Sequence, residues 1–346
     1  MEKNIPILVT GGLGYIGSHT VVELIEAGYD PVIVDNLSNS RPEVLDGIEK
    51  ITGRRPVFYP YDLRNREQVK EIFDNHPGLQ GIIHFAASKY VGESVEDPLL
   101  YYENNLCSLT NLLQEARAHG VWPFIFSSSC TVYGEPDTLP VTEDMPVKPA
   151  ESPYGNTKQI AEEILRDAAR AYGFRVIALR YFNPIGAHPS AEIGELPVGV
   201  PQNLVPFITQ TAIGLRDELK IFGDDYPTPD GTAIRDYIHV VDLARAHVVA
   251  LERLLQGRNT DVFEVFNIGT GRGSSVREVV DTFMEVTGVD LPYRIVGRRP
   301  GDVTAVWADT QKAEKILGWK ARLTMADALR DAWRWEQKIR NKNAKA

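Results

Sequence analysis

The sequence predicts an α/β fold, in which helices cover both faces of a doubly wound parallel sheet and a smaller α/β domain follows. Short apolar strands alternate with amphipathic helices from residue 5 to residue 180. The first strand runs into a glycine-rich turn at residues 11–17, and the alternation gives way to a stretch rich in Pro and Gly at residues 181–206. These three observations place the sheet domain first and a second lobe after it.

Composition and charge restrict the class of protein before any motif is considered. A chain of 346 residues with 43% hydrophobic residues can bury a substantial core. The formal net charge of −10 argues against a nucleic-acid partner and against an anionic membrane surface, and the sequence has no run of about 18 apolar residues. With two cysteines and no signal-like apolar segment near the N-terminus, we expect a cytoplasmic protein that acts on a small molecule.

The first strand, turn and helix have the spacing of a dinucleotide-binding site. A buried strand over residues 5–10 enters a turn that contains Gly11, Gly14 and Gly17. Glycines there permit a close approach of the backbone to a pyrophosphate, and the following helix offers unpaired N–H groups. Asp35 ends the second strand 18 residues after Gly17, where its carboxylate accepts hydrogen bonds from an adenosine ribose and repels a ribose phosphate. A Rossmann-type domain that binds NAD rather than NADP is therefore predicted, in preference to an ordinary glycine turn.

Further strands extend this sheet and bring polar residues to its ligand-binding edge. Strands over residues 57–59 and 81–87 flank a helix over residues 66–75. Because doubly wound sheets bind ligands at the carboxyl ends of their strands, Asp62 and residues 85–89 are expected to flank the adenine and the linking phosphates. For Asp62, a helix N-cap is an equal alternative. No grouping of His, Cys and carboxylate residues has metal-ligand spacing, so no metal is predicted.

Two side chains on one helix are candidates for proton transfer. Tyr154 and Lys158 are four residues apart, so on a helix they share a face and the ammonium can stabilise a phenolate. Such a pair also arises by chance, so it indicates a catalytic site only when the neighbouring motifs support one. Three serines at residues 127–129 follow a predicted strand and end at the same edge of the sheet. The sequence has no Gly-x-Ser-x-Gly motif, which disfavours a serine nucleophile.

A long helix predicted over residues 98–119 carries two asparagines in its interior, Asn104 and Asn105. Asparagine is a poor helix former and often has another role at such a position. We expect one of the two to reach the nicotinamide side of the site.

The second lobe carries arginines that predict an anion site. Arg235, Arg299 and Asp302 lie in loops among Gly and Pro of an acidic protein. Guanidinium groups bind phosphate with two parallel hydrogen bonds, so these loops are candidates for a diphosphate. For any single arginine, a surface salt bridge is an equal alternative.

The domain boundaries follow from these elements. The NAD-binding Rossmann domain is predicted over residues 1–180, with a return segment at about 237–269 because a strand at 262–267 should rejoin the sheet. The smaller α/β substrate-binding domain is predicted over residues 181–236 and 270–346.

With these motifs in view, the chain resembles the UDP-glucose 4-epimerases of the extended short-chain dehydrogenase/reductase family. The resemblance covers nearly the full length, and its motifs are highly specific when they occur together. They are residues 10–17, 35–40, 91–94, 126–134, 152–155, 180–184, 186–189 and 236–239.

The resemblance implies two overlapping sets of site residues. The NAD-binding set consists of Gly11, Gly14, Tyr15, Ile16, Gly17, Asp35, Asn36, Leu37, Ser38, Asn39, Ser40, Asp62, Leu63, Phe85, Ala86, Ala87, Lys89, Asn104, Ser129, Tyr154, Lys158 and Phe182. The set that meets the UDP-sugar consists of Ser129, Tyr154, Asn183, Asn203, Leu204, Arg235, Arg299, Asp302 and Val306.

The implied activity is the interconversion of UDP-galactose and UDP-glucose in galactose metabolism. No carbonyl acidifies the hydrogen on C4, so transient oxidation is easier than direct deprotonation. The resemblance implies that Tyr154 removes the 4-hydroxyl proton while C4 passes hydride to tightly bound NAD, that Ser129 hydrogen-bonds to the oxygen and that Lys158 favours the phenolate. A tethered 4-keto sugar would then present its other face, and hydride return would give the epimer.

Two alternatives follow from the same motifs. Dehydratases and decarboxylases of the family begin with the same oxidation, but the dehydratases resemble one another in an Asp-Glu pair after the catalytic hydroxyl residue, where this chain has Cys130 and Thr131. A non-catalytic NAD-binding regulator commonly lacks the tyrosine or the lysine, and this chain retains both.

The resemblance also addresses substrate range and assembly. In related epimerases a bulky tyrosine at the position of Val306 favours plain hexoses, so the smaller valine is expected to admit UDP-N-acetylglucosamine and its galactose counterpart. The family implies a homodimer, with the helix at residues 98–119 and the tyrosine helix as candidate interface elements.

Overall fold

The computed structural model describes residues 4–299 and 302–343, so Pro300 and Gly301 of the predicted arginine loop lie outside the described residues. In chain order the strands are β1 (Pro6–Thr10), β2 (Asp30–Val34), β3 (Val57–Tyr59), β4 (Gly81–His84), β5 (Pro123–Ser129), β6 (Arg175–Tyr181), β7 (Asn183–Ile185), β8 (Leu219–Phe222), β9 (Ile234–Arg235), β10 (Tyr237–His239), β11 (Phe263–Ile268), β12 (Ser274–Ser275), β13 (Tyr293–Val296) and β14 (Ala305–Val306). The α-helices are α1 (Tyr15–Glu26), α2 (Val44–Thr52), α3 (Arg66–Asn75), α4 (Val91–Glu96), α5 (Pro98–Tyr102), α6 (Ser108–Ala118), α7 (Pro153–Tyr172), α8 (Leu204–Ala212), α9 (Val240–Leu255), α10 (Val276–Thr287) and α11 (Met325–Asn343).

A parallel sheet with helices on both faces forms the larger part of the described chain. Its strand order is β11-β6-β5-β4-β1-β2-β3. Ile7 and Val9 of β1 belong to the core cluster shared with α1 and α9, whereas Leu8 belongs to the cluster on the opposite face, shared with α3 and α6. Each central strand is therefore apolar on both sides, as a sheet covered by two helical layers requires. The predicted doubly wound α/β fold is confirmed.

The sheet topology fixes where a ligand can enter. β2 and β3 lie on one side of β1, and β4, β5 and β6 lie on the other. Ligands of open α/β sheets bind at such a reversal of strand order, beyond the carboxyl ends of the strands. The turn after β1 and the loop after β4 border this crevice.

The predicted return strand is confirmed. β11 pairs in parallel with β6, with Phe263 opposite Val176, and forms one edge of the large sheet. The polypeptide therefore returns to the first lobe after it has contributed residues to the second lobe.

The second lobe has a hydrophobic core of its own. Ile208 of α8, Phe283 of α10 and Leu329 of α11 lie in one buried cluster, next to the parallel pair of β8 and β13. The separate core is consistent with a smaller α/β domain, and the boundaries proposed for it remain a prediction.

Two local expectations need correction. The strand at residues 81–87 ends at His84, so residues 85–87 belong to the loop at the crevice. The helix expected over residues 98–119 is α5 and α6 joined by a π-helical turn at Glu103–Cys107. Within the described ranges, no helix is long and apolar enough to cross a membrane, and no group of His, Cys, Asp and Glu side chains is arranged to hold a metal ion.

Candidate active site

A cavity of about 340 Å³ lies along the carboxyl ends of the central strands. Most of the residues predicted for the site contribute to its walls. They are Gly11, Gly14, Tyr15, Ile16, Gly17, Asp35, Asn36, Ser38, Asn39, Ser40, Asp62, Leu63, Phe85, Ala86, Ala87, Lys89, Asn104, Ser129, Tyr154, Lys158, Phe182, Asn183 and Asn203. The other predicted residues, all within the described chain, lie outside its lining and are Leu37, Leu204, Arg235, Arg299, Asp302 and Val306.

The glycine turn is packed too tightly for other residues. Gly11 has a φ of +64°, in the left-handed region that favours glycine. A Cβ on Gly17 would lie 2.2 Å from the carbonyl oxygen of Gly11, so α1 packs against the turn only if residue 17 is glycine. This close packing places the N-terminus of α1 beside the cavity, where its unpaired N–H groups can bind a pyrophosphate.

The Asp35 carboxylate is fixed at the carboxyl end of β2. Its Oδ2 accepts a hydrogen bond from the backbone N–H of Leu13 at 3.1 Å. Its Oδ1 accepts from the N–H of Leu37 at 3.0 Å and from the Ser40 hydroxyl at 2.7 Å. Leu37 therefore serves the site through its backbone, while its side chain packs against the core below.

Asp62 is a cavity residue and not a helix cap. Asn65 caps α3, because its Oδ1 accepts from the backbone N–H groups of Glu67 and Gln68. The N-cap alternative for Asp62 is therefore wrong. The neighbouring Arg64 guanidinium donates to Asp62 and holds the pKa of that carboxyl below its usual range.

The three serines are the end of β5, where alternation gives them different surroundings. Ser127 and Ser129 face the cavity, and the Ser127 hydroxyl pairs with that of Tyr181. The Ser129 Oγ accepts hydrogen bonds from the N–H and the hydroxyl of Thr131 at 3.2 and 3.0 Å. Ser128 points to the other face, where it is fully buried.

Tyr154 and Lys158 lie on the first turns of α7, close to Ser129. Burial raises the pKa of the Tyr154 phenol, and its hydrogen bond with Ser129 acts in the opposite direction. The Lys158 Nζ donates to the carbonyl oxygen of Ser127 at 2.7 Å and lies 5.8 Å from the centre of the Tyr154 ring. Burial lowers the pKa of Lys158 to about 8, so the ammonium form still dominates at pH 7.

The two asparagines of the π-helical turn have different roles. Asn104 lines the cavity and donates to the Ser88 hydroxyl at 3.0 Å. Asn105 is buried, accepts from the Ser88 N–H at 2.8 Å and donates to the Thr157 hydroxyl at 3.0 Å. It therefore ties the loop after β4 to α7.

The arginines of the second lobe meet at one carboxylate. Arg299 donates from Nε to Asp302 at 3.1 Å, and the Arg235 guanidinium lies 3.6 Å from the other oxygen of Asp302. Val306 is the register partner of Arg235 in the β9–β14 pair. Val306 is also buried in the same cluster as the cavity residue Phe182. It therefore lies between the cluster of Arg235, Arg299 and Asp302 and the cavity wall.

Several polar residues of the cavity were not singled out from the sequence, among them Tyr181 and Glu195. Tyr181 ends β6, and burial raises the pKa of its phenol to about 12. Glu195 accepts from the Asn203 amide at 2.7 Å and lies 3.9 Å from the Lys89 ammonium. Tyr181 lies within a motif that carried the family resemblance, whereas an isolated loop glutamate gives no pattern that points to a site.

Comparisons with known proteins agree with this geometry. A family model described as GDP-mannose 4,6 dehydratase matches residues 8–332. The UDP-glucose 4-epimerase of Bacillus subtilis is 51% identical over 331 residues, which cover 95% of this chain and 96% of that protein.

Two solved structures resemble the whole chain. The UDP-glucose-4-epimerase of Stenotrophomonas maltophila, with bound NAD and formylated UDP-arabinopyranose, is 47% identical with a TM-score of 0.94, over 98% of this chain and 100% of that one. The UDP-glucose 4-epimerase of Bifidobacterium longum, in complex with NAD+ and UDP, is 46% identical with a TM-score of 0.93, over 97% and 99%.

Proposed function

The chain belongs to the UDP-glucose 4-epimerases, within the wider family described as GDP-mannose 4,6 dehydratase, and we propose that it interconverts UDP-galactose and UDP-glucose. One observation carries this proposal. Ser129, Tyr154 and Lys158 converge at a cavity that also contains the glycine turn and Asp35. A hydroxyl, a phenol and an ammonium beside a dinucleotide cleft suit the oxidation of a secondary alcohol.

The residues present fit NAD as the resident cofactor. The turn at Gly11 and Gly17 is packed too tightly for a Cβ, and it lies at the cavity beside the N-terminus of α1, where a pyrophosphate can bind. The Asp35 carboxylate, held at the end of β2, suits the two hydroxyls of an adenosine ribose and disfavours a 2′-phosphate. When bound, NAD supplies hydride acceptance from C4 and hydride return.

Proton transfer falls to Tyr154. Burial disfavours its phenolate, so it acts as a base only beside a positive charge. Lys158 supplies that charge, because its ammonium lies near the ring and is oriented by the carbonyl of Ser127. Ser129 donates to the substrate oxygen as the proton leaves, and Tyr154 returns the proton in the second half of the reaction.

The cluster of Arg235, Arg299 and Asp302 holds the UDP moiety of the substrate and so acts as its tether. Arg235 and Arg299 together carry two guanidinium groups next to one carboxylate, which suits a diphosphate. A UDP moiety held there leaves the sugar ring free to turn over within the cavity. The ring can then present either face of C4 to the same catalytic residues.

The rival dehydratase reaction is less well supported. Elimination needs an acid and a base beside the 4-keto sugar, and Ser129 is followed by Cys130 and Thr131. Burial raises the pKa of the Cys130 thiol to about 11, so it is a poor acid at neutral pH. The retained Tyr154 and Lys158 likewise disfavour a regulator that only binds NAD.

We extend the proposal to N-acetylated sugars. Val306 lies outside the cavity lining but is buried in the same cluster as the cavity residue Phe182, where a valine takes up less space than a tyrosine. Turnover of UDP-N-acetylgalactosamine by pure protein would support the extension, and its absence under conditions where UDP-galactose reacts would contradict it.

Assembly and location complete the proposal. Val91 and Val95 of α4 and Leu99 of α5 are 50%, 62% and 76% exposed, and these exposed apolar side chains support a homodimer through this region. Sedimentation of the wild type against Leu99→Glu tests it, with a shift toward monomer expected. Both cysteines are free thiols, which supports a cytoplasmic location.

The decisive experiment needs no added cofactor. Pure protein incubated with UDP-galactose should form UDP-glucose, because tightly bound NAD accompanies the chain. Binding of NAD without any turnover would instead indicate the regulator, and a 4-keto-6-deoxy product would indicate the dehydratase.

A further inference from the structure

The buried glutamate of α7, Glu162, lies next to the catalytic residues without lining the cavity. Glu162 lies one helical turn beyond Lys158 and two beyond Tyr154, so the three share a face of α7. Its carboxylate accepts from Arg180 Nε at 2.9 Å and from Arg180 Nη2 at 2.6 Å. Both side chains are 4% exposed.

The same carboxylate reaches the catalytic strand. The Ser128 hydroxyl donates to Glu162 Oε1 at 2.6 Å. Ser128 is the register partner of Arg180 across β5 and β6 and is adjacent in sequence to Ser129. One carboxylate therefore joins the three elements that carry Ser129, Tyr154 and the cavity tyrosine Tyr181.

A buried ion pair is weak support for stability, since desolvation of the two charges offsets much of their attraction. Geometry offers a better reason for this pair. Ser129 lies on a strand and Tyr154 on a helix, and proton transfer requires their hydroxyls to be held within about 0.5 Å of the productive arrangement.

We propose that Glu162 is a positioning residue, which fixes the end of β5 against the first turns of α7 so that Ser129 and Tyr154 act on one substrate oxygen. The inference rests on the proposed epimerase function. Glu162 also raises the pKa of Lys158 against the lowering effect of burial, so it favours the ammonium.

The chain contains a matched control in a second buried ion pair. Arg253 of α9 donates to Glu264 of β11 from Nε and Nη2, each at 2.8 Å, and the two side chains are 8% and 7% exposed. Neither residue lines the cavity. Glu264→Gln therefore breaks a pair of the same geometry without touching β5 or the catalytic turns of α7.

The test compares Glu162→Gln with Glu264→Gln in melting temperature, NAD content, kcat and KM for UDP-galactose. We expect both variants to melt at lower temperature and to retain NAD. Only Glu162→Gln should lose kcat, by about 20-fold or more, with KM within about twofold of the wild type. Equal kcat in the two variants would overturn the role of Glu162.

Ser128→Ala keeps the test decisive if Glu162→Gln does not fold. It removes one hydrogen bond and leaves the ion pair in place. A three- to tenfold loss of kcat at unchanged KM is expected, at roughly the effect of a modestly misplaced catalytic group. Unchanged kcat would overturn the proposal. A wild type that fails to turn over UDP-galactose would instead remove the proposed function itself.

Discussion

The proposed reaction end of the site, at Ser129, Tyr154 and Lys158, and the proposed tether end, at Arg235, Arg299 and Asp302, are built in different ways. Ser129, Tyr154 and Lys158 lie on a central strand and a long helix; Ser129 and Lys158 are buried and form hydrogen bonds within the sheet domain, and Tyr154 is partly buried beside them. The group of Arg299 and Asp302 lies in a loop of the second lobe, and the Arg299 side chain is 51% exposed. Proton transfer demands fixed geometry, whereas a tether needs only charge within reach, so the two ends should affect different kinetic constants.

The largest effect is expected from Tyr154→Phe, which removes only the phenolic hydroxyl. General acid–base catalysis contributes about 10²- to 10⁴-fold, so kcat should fall by about 1000-fold. Melting temperature, NAD content and KM should stay near wild type, because the ring and its packing are retained. Turnover within tenfold of the wild type would show that another group moves the proton.

A smaller effect, on the other constant, is expected at the tether. Arg299→Met should raise KM for UDP-galactose about tenfold, the lower part of the range for a charge-assisted hydrogen bond because the side chain is half exposed. The kcat should change less than threefold. Arg298→Met is the control, since its guanidinium pairs with the exposed Asp225 and stacks on Tyr226. Equal effects of the two variants would contradict the tether.

The pH dependence separates the two ends without mutation. Burial lowers the pKa of Lys158 to about 8. The ammonium that supports the Tyr154 phenolate is present below this pH and is lost above it, so kcat should fall between pH 8 and 9, by up to about tenfold. KM should hardly change, because arginines stay charged over this range. Initial rates at several substrate concentrations separate kcat from KM, and a pH effect confined to KM would contradict the prediction.

The smallest effect on UDP-galactose turnover is expected from a change at Val306. This residue is paired with Arg235 in the β9–β14 register and shares a buried cluster with Phe182. Val306→Tyr enlarges a side chain that is buried in one cluster with Phe182, and the kcat for UDP-galactose should stay within about threefold of the wild type. The same change should abolish turnover of UDP-N-acetylgalactosamine. Parallel assays of both sugars, with melting temperature as a check on packing, test it. Retained activity on the N-acetylated sugar would show that room at Val306 does not set the range.

Local pattern predicted the sheet domain well and the contacts across it poorly. The bounds of β3 and α3 agree with the sequence, and the glycine turn, Asp35 and the return strand lie where spacing placed them. These features depend on neighbouring residues and a fixed period. The role of Asp62 was open because Asn65, three residues later, competes for the same cap, and only the three-dimensional contacts distinguish them.

The missing part of the site consists of long-range pairs. The sequence does not distinguish Ser128 from the two serines beside it. The register of β5 and β6 places it opposite Arg180, and its hydroxyl donates a hydrogen bond to Glu162. Glu195 is placed in the site by the fold of its loop, which brings its carboxylate near the Lys89 ammonium. Such contacts join residues far apart in sequence, and no local period encodes them.

The π-helical turn between α5 and α6 acts as a shift of phase. It holds one residue more than an α-helical turn would, and an α-helix advances about 100° per residue. If the same residues formed a regular α-helix instead of the wide turn, α5 would be rotated by about that angle relative to α6. Asn105 would lose the loop after β4, and the apolar side chain of Leu99 would face a new direction. The wide turn therefore sets two orientations at once, that of Asn105 toward the loop after β4 and that of Leu99 toward the outer surface of the molecule.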